Sequence, residues 1–322
     1  MAREFFIVDR DVFLQACERG MNAAVSYLVM ARGTQGNNRT TKWSANAIAE
    51  RAGMTRPRAT AAIGELIDSG IVELVSGGAR PHYRLHLPDS DNGYLYLPNS
   101  IIDAVGEEIP PIERLRQTRN ITNLKVFILL YGIQDLDNAG GLPPEMFDHA
   151  PFITQVLYSN KTMRLEIADS CSYKLSWSWY GKSSIFSLIY MNFNDFTSSF
   201  FELKDMGLVS VYVKVFDSPD DDGEIIGNTC SYSYVSELDE ATRRKRKTTA
   251  KWPTDVHYMI IPAHIKSANL KCIGVMRYRA QTSKTARWMA LESKNIERAD
   301  NLYSSAVKLE TALAIERESK IA

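Results

Sequence analysis

Two guanidinium groups, Arg56 and Arg58, stand two residues apart among Thr55, Pro57, Ala59, Thr60, Ala61 and Gly64. A guanidinium presents five donors in a planar fork, which grips planar acceptor pairs such as phosphate or carboxylate oxygens through two parallel bonds. Small neighbours leave room for such an acceptor to come close. The surrounding chain has the same bias. From Arg32 to Arg58 six basic residues (Arg32, Arg39, Lys42, Arg51, Arg56, Arg58) face one acid, Glu50, and the hydroxyls of Ser44, Thr55 and Thr60 add neutral donors. Arg80 and Arg84 follow a Ser76-Gly77-Gly78 turn. A second concentration is the run Arg243-Arg244-Lys245-Arg246-Lys247, with Lys251 close behind and the acids Asp217, Asp220, Asp221, Asp222 and Glu224 upstream. The chemistry on offer is anion recognition, driven for a phosphate chain by release of counterions. The competing readings are a solvated basic face on a protein-interaction module and, for the run, a flexible charged loop.

Nothing in the sequence assembles a catalytic centre. The five histidines form no H-E-x-x-H pair, no phosphate loop, dinucleotide fingerprint or G-x-S-x-G elbow occurs, and the acids group only in the Asp220-Asp221-Asp222 loop. No catalytic residue, cofactor or metal ligand is expected. Four scattered cysteines without a C-x-x-C pair fit a reducing compartment rather than a disulfide or zinc framework. The N-terminus lacks the apolar core of a signal peptide, and the longest apolar run, Val126 to Tyr131, is too short to span a bilayer. A cytoplasmic protein without membrane contact is expected. With 322 residues, 45% hydrophobic and 24% charged, the chain has the size of two or three ordinary domains. Its 38 basic and 38 acidic residues cancel, yet a zero total says nothing about how charge is distributed.

The elements that would position these groups are duplicated. Glu65-Leu66-Ile67-Asp68-Ser69-Gly70-Ile71-Val72 returns as Glu202-Leu203-Lys204-Asp205-Met206-Gly207-Leu208-Val209, identical at five of eight positions. Tyr94 to Ile101 resembles Tyr258 to Ile265 in the same order. Asn22, Val25 and Leu28 match Asn123, Val126 and Leu129. The spacings require two insertions in the second copy, one on each side of its Glu-Leu helix, and the break at Gly106-Glu107-Glu108-Ile109-Pro110-Pro111 suggests a boundary.

In the first copy, helical periodicity covers Ala16 to Ala31 and a polar loop follows. Ser44 is placed to cap a short helix, Ala45 to Ala52, ended by Gly53. Thr55 is placed to cap the next, in which Pro57 is tolerated within the first turn. That helix is expected to bury Ala59, Ile63, Leu66 and Ile67 and to stop at Gly70. Ile71 to Val75 and His82 to Leu87 then alternate as two strands about the Gly77-Gly78 turn.

Helix, helix, turn, helix and hairpin, carried by Trp43 through Arg58 with Ile63, Leu66, Gly70 and Ile71, resembles the winged helix-turn-helix family. The resemblance covers residues 15–90. It implies a mainly α fold with small β wings: winged helix-turn-helix at 1–108, an insertion-bearing second unit at 112–280, and a long amphipathic C-terminal helix at 281–322. It further implies that residues 55–69 enter the major groove of double-stranded DNA, with Arg56 and Arg58 gripping guanine edges and the basic hairpin lying on the backbone. The expected contacts are Arg39, Lys42, Ser44, Thr55, Arg56, Arg58, Thr60, Arg80, Arg84 and the Arg243–Lys247 run. The implied role is sequence-specific transcriptional regulation in a bacterial or phage setting. Replication initiation at plasmid or phage origin repeats, or protein binding without DNA, are the alternatives.

In the second copy the helix Asn194 to Met206 is acidic and carries Phe196, Phe200 and Phe201, which suits packing or homodimer contacts better than base reading. The seam Ala299, Leu302, Ala306, Leu309, Leu313 in the C-terminal helix offers a surface either for packing on its own domain or for pairing with a partner helix. Alternation in Lys174 to Tyr180 reads as a hairpin strand, with a base-stacking platform as the other reading of its aromatics.

Overall fold

In the computed structural model of the chain, residues 4–34, 36–78, 80–86, 93–103, 106, 108–137, 140–148, 153–157, 162–168, 174–182, 191–216, 225–228, 256–262 and 269–290 are described. Among the described residues helix outweighs strand, and the strands form small antiparallel sheets. The chain divides into two compact units. One comprises Met1–Leu142, Trp177–Ser210 and Val275–Thr285; the other comprises Pro143–Ser176, Val211–Gly274 and Ala286–Ala322.

The first unit opens with β1 (Phe5–Asp9), α1 (Arg10–Glu18) and α2 (Met21–Arg32). The buried Asp9 carboxylate caps α1, accepting from the amides of Asp11 and Val12 at 2.9 Å each. The periodicity that suggested one helix over 16–31 is divided at Gly20, whose φ of +102° no L side chain adopts readily. Every residue of α2 from Ala23 to Ala31 is buried, so this helix is the axis of the unit. Around it follow β2 (Thr40–Thr41), α3 (Ala45–Ala52), α4 (Arg56–Asp68), β3 (Val72–Ser76) and β4 (His82–Leu85). The last strands form a sheet in the order β2-β4-β3. α4 buries Ala59, Ala62, Ile63 and Leu66 against α2 and α3. Ala62 takes the place expected for Ile67, which is half-buried. β5 (Tyr94–Pro98) returns to pair with β1 in the register Asp9↔Tyr94 to Phe5↔Pro98.

The chain runs on within this unit through Glu108–Pro110, the stretch read from the sequence as a boundary, into α5 (Pro111–Thr118) and α6 (Ile121–Leu130). It returns with α7 (Trp177–Lys182) and α8 (Phe193–Asp205). α6 packs on α8 as α2 packs on α4.

The eight-residue repeat folds the same way twice. Gly70 and Gly207 hold φ of +73° and +67°. The Ile71 amide donates to Leu66 at 3.0 Å, and the Leu208 amide donates to Leu203 at 2.9 Å. The Ile71 carbonyl then accepts from the amide of His86, and the Leu208 carbonyl from that of Arg277. A helix end that must turn at once into a strand needs the left-handed residue that glycine supplies.

The second unit holds β6 (Phe147–Asp148), β7 (Ile153–Leu157), β8 (Thr162–Ala168), β9 (Lys174–Leu175), β11 (Ile225–Asn228) and β12 (Val256–Pro262), together with most of β10 (Val209–Phe216) and β13 (Asn269–Met276). The sheets run β12-β8-β7, β11-β10-β13 and β6-β9. β8, from the stretch expected as the first insertion, pairs with β12, the Tyr258 strand, Thr162↔Pro262 through Ala168↔Val256. Two expectations change here. The Tyr258 strand pairs in the sheet with β8, whereas the Tyr94 strand pairs with β1; the strand joined to β10 as β4 is joined to β3 is β13. The Lys174–Tyr180 strand stops at Leu175, because Trp177 and Tyr180, one helical turn apart on α7, pack together on Phe193 of α8. Residues 283–290 are helical, opened by Thr282 and Thr285, whose hydroxyls accept from each other's amides at 3.2 and 2.8 Å. The remainder of the expected C-terminal helix lies outside the described residues.

Candidate nucleic-acid interface

The α3–α4 connection is built from three residues. Gly53 takes φ +59°, the buried Met54 sends its amide back to Ala49 at 3.1 Å, and Thr55 opens α4 in extended conformation. Pro57 sits in the first turn, where its missing amide costs no bond. The outward face of α4 then carries Arg56, Pro57, Arg58, Thr60 and Ala61, all exposed. Gly64 follows one turn on, where an added side chain would meet open space.

Among the described residues, the side chains of Arg56 and Arg58 make no ion pair or hydrogen bond. The other cations of the same segment are divided. Arg32 donates to Asp103 at 2.8 Å, Arg51 lies 3.7 Å from the same carboxylate, and Arg51 stacks on Trp43 with its guanidinium 4.1 Å from a ring centroid. Trp43 fits because Gly33 lacks a side chain; a Cβ there would lie 2.4 Å from the indole. These two arginines hold α3 in place and are not available to a ligand. Sequence reasoning counted them with the rest, since a paired and a free arginine read alike.

Lys42 and Arg80 are exposed and unpaired among the described residues. Arg39 is exposed, and its carbonyl accepts from Leu85, stitching the loop to β4. Arg84 is exposed but pairs across the hairpin with Glu73 at 2.9 Å, facing it in register. Ser44 and Thr55 occupy cap positions without a side-chain capping bond, so neither hydroxyl serves the helix it precedes. Thr60 instead donates to the Arg56 carbonyl at 3.0 Å. The Arg243–Lys247 run lies outside the described residues.

The hairpin shows two residues that the strand pattern did not mark. Leu74 and Val75 are 45% and 42% exposed, because β3 is an edge strand that runs past the body towards Gly77 and Gly78. Tyr83 on β4, directly opposite Leu74 in the register, is buried, which pushes its phenol up and keeps it neutral. α4 and the hairpin together present a cationic, small-residue ridge beside an apolar finger.

Among the described residues no group of His, Cys, Asp and Glu is arranged to hold a metal ion. No helix among them is long and apolar enough to cross a membrane. No protein family, no curated protein and no solved structure matches this chain.

Proposed function

We propose that the chain is a sequence-specific double-stranded DNA-binding protein of winged helix-turn-helix type, acting as a transcriptional regulator in the cytoplasm. α4 enters the major groove and the β3–β4 hairpin lies along the adjoining backbone. One observation supports this above the others. Where Arg32, Arg51 and the hairpin's Arg84 are paired with acids, Arg56 and Arg58 stand unpaired among the described residues, at the start of a helix whose outer face is small-residued enough to approach base edges. Arg39, Lys42, Ser44, Thr55 and Arg80 flank that helix as phosphate contacts, and Thr60 shares its face. The Arg243–Lys247 run supplies further phosphate neutralisation. Homodimer formation through the second copy or the C-terminal helix belongs to the same proposal.

Selection from a random duplex library, followed by footprinting at two salt concentrations, tests the reading. A defined motif lost with Arg56→Ala plus Arg58→Ala supports it. Unchanged binding by that variant overturns the groove assignment. The duplicated helix-end geometry favours a second reading, replication initiation at repeated origin sites, which footprints spread over several tandem sites would select.

A further inference from the structure

The helix-turn-helix turn is gripped from outside by a helix that belongs to the second copy. α5 packs on α3, and its Arg116 forks onto the helix end: Nε donates to the Ala52 carbonyl at 2.6 Å and Nη2 donates to the Gly53 carbonyl. These carbonyls are the ones that a helix C-terminus leaves unsatisfied, and a cation there also meets the negative end of the helix dipole. Glu113, one turn earlier on α5, presses against Gly53 so closely that a Cβ on that glycine would lie 2.1 Å from Glu113 Oε1. Gln117 donates to the same oxygen at 3.1 Å and fixes it. Two residues from Arg116, on the other side of α5, Arg114 donates to the carbonyl of Met206 at the end of α8. One short helix thus places one arginine on a helix end of each copy.

We propose that Arg116 is a positioning residue: it fixes the α3–α4 angle, and through it the pose of Arg56 and Arg58, without itself touching DNA. The first copy supplies no side chain of its own to these two carbonyls among the described residues. The turn between them rests on a left-handed glycine, the backbone most free to drift in the absence of an external hold. The recognition limb of this proposal rests on the DNA reading above; the clamp itself does not.

The experiment uses the full chain in three variants, Arg116→Ala, Arg116→Lys and Arg114→Ala. Amide exchange without DNA reads the clamp, and the ratio of affinities for the library-selected duplex and for random duplex reads recognition. For Arg116→Ala, the Met54 amide is expected to exchange roughly tenfold faster and the affinity ratio to fall roughly tenfold, since a charge-assisted bond pair is lost. The salt slope should stay unchanged because no phosphate contact is removed. Lysine should restore part of both effects. Arg114→Ala should leave the Met54 amide alone and hold the ratio within about twofold. Unaltered exchange in Arg116→Ala overturns the clamp. Faster exchange with an unaltered affinity ratio overturns positioning and leaves a role in stability only, as would equal losses of melting temperature and no loss of ratio in the two alanine variants. A wild-type chain that selects no duplex removes the recognition limb together with the functional reading, while the exchange comparison still decides the clamp.

Discussion

α4 and α8 end in the same glycine turn, yet they differ in which face they spend. α4 buries small residues, Ala59 and Ala62 with Ile63 and Leu66, and leaves arginines outside. α8 buries Phe196, Phe200 and Leu203 and exposes Asn194, Asp195, Ser198, Lys204 and Asp205. Its Glu202, the acid that the two repeat segments share, accepts a hydrogen bond from the buried Asn123 of α6. Aromatic contacts continue outward from α8 through Phe193 and Tyr180 to Trp177. Two helices can share a terminus, which geometry dictates, while their outer faces differ.

The contrast can be broken most sharply at Phe200. Phe200→Ala should cost about 3–5 kcal/mol in denaturant unfolding, because a fully buried ring leaves a cavity. Arg56→Ala plus Arg58→Ala should leave stability within about 0.5 kcal/mol. The same arginine pair should lower affinity for the selected duplex roughly a hundredfold in a titration. Ser198→Ala plus Lys204→Ala on the exposed face of α8 should change it by less than about twofold; a comparable loss there would mean both copies read DNA. A smaller effect tests the shared feature. Gly70→Ala and Gly207→Ala should each cost about 1–2 kcal/mol, since both hold a left-handed backbone and neither position crowds a new Cβ. Penalties that differ by more than about 1 kcal/mol would count against equivalent helix ends.

The smallest effect is one of pH. Burial on α1 pushes the Cys17 thiol from 9.0 up to about 12. Its folded value is raised, so its contribution to stability is complete below pH 9 and declines as pH rises from there towards 12. Unfolding at pH 7 and 8 should therefore show no loss from this group, with a decline beginning above 9. Alkylation should likewise leave Cys17 unmodified at pH 8 in the native chain.

The parts legible in the sequence were those governed by local chemistry. Glu-Leu followed by Gly-Ile or Gly-Leu announces a helix end turning into a strand, and Ser76-Gly77-Gly78 announces a hairpin; both fold as read. The division of α1 from α2 at Gly20 was hidden because apolar spacing continues across it. The β1–β5 and β8–β12 pairings were hidden because strand partners lie far apart in sequence and alternation does not name them. At the site, the positions of Arg56 and Arg58 on an exposed first turn were legible. The capture of Arg32 and Arg51 by Asp103, and of two helix ends by Arg116 and Arg114, was not, because a charge does not disclose its partner.

The interleaving of the two units along the chain also sets an order of events during synthesis. α2, α3, α4 and their hairpin are complete once residue 85 has been made. β10 waits for β13, which ends at Met276. Sixty residues separate the end of β10 at Phe216 from the end of β13 at Met276, and at the ribosome's pace of about 5–20 residues per second that wait is on the order of three to twelve seconds. Throughout that interval β10 lacks its native neighbour on one side, which makes this strand the point at which a nascent chain is most open to pairing with the wrong partner.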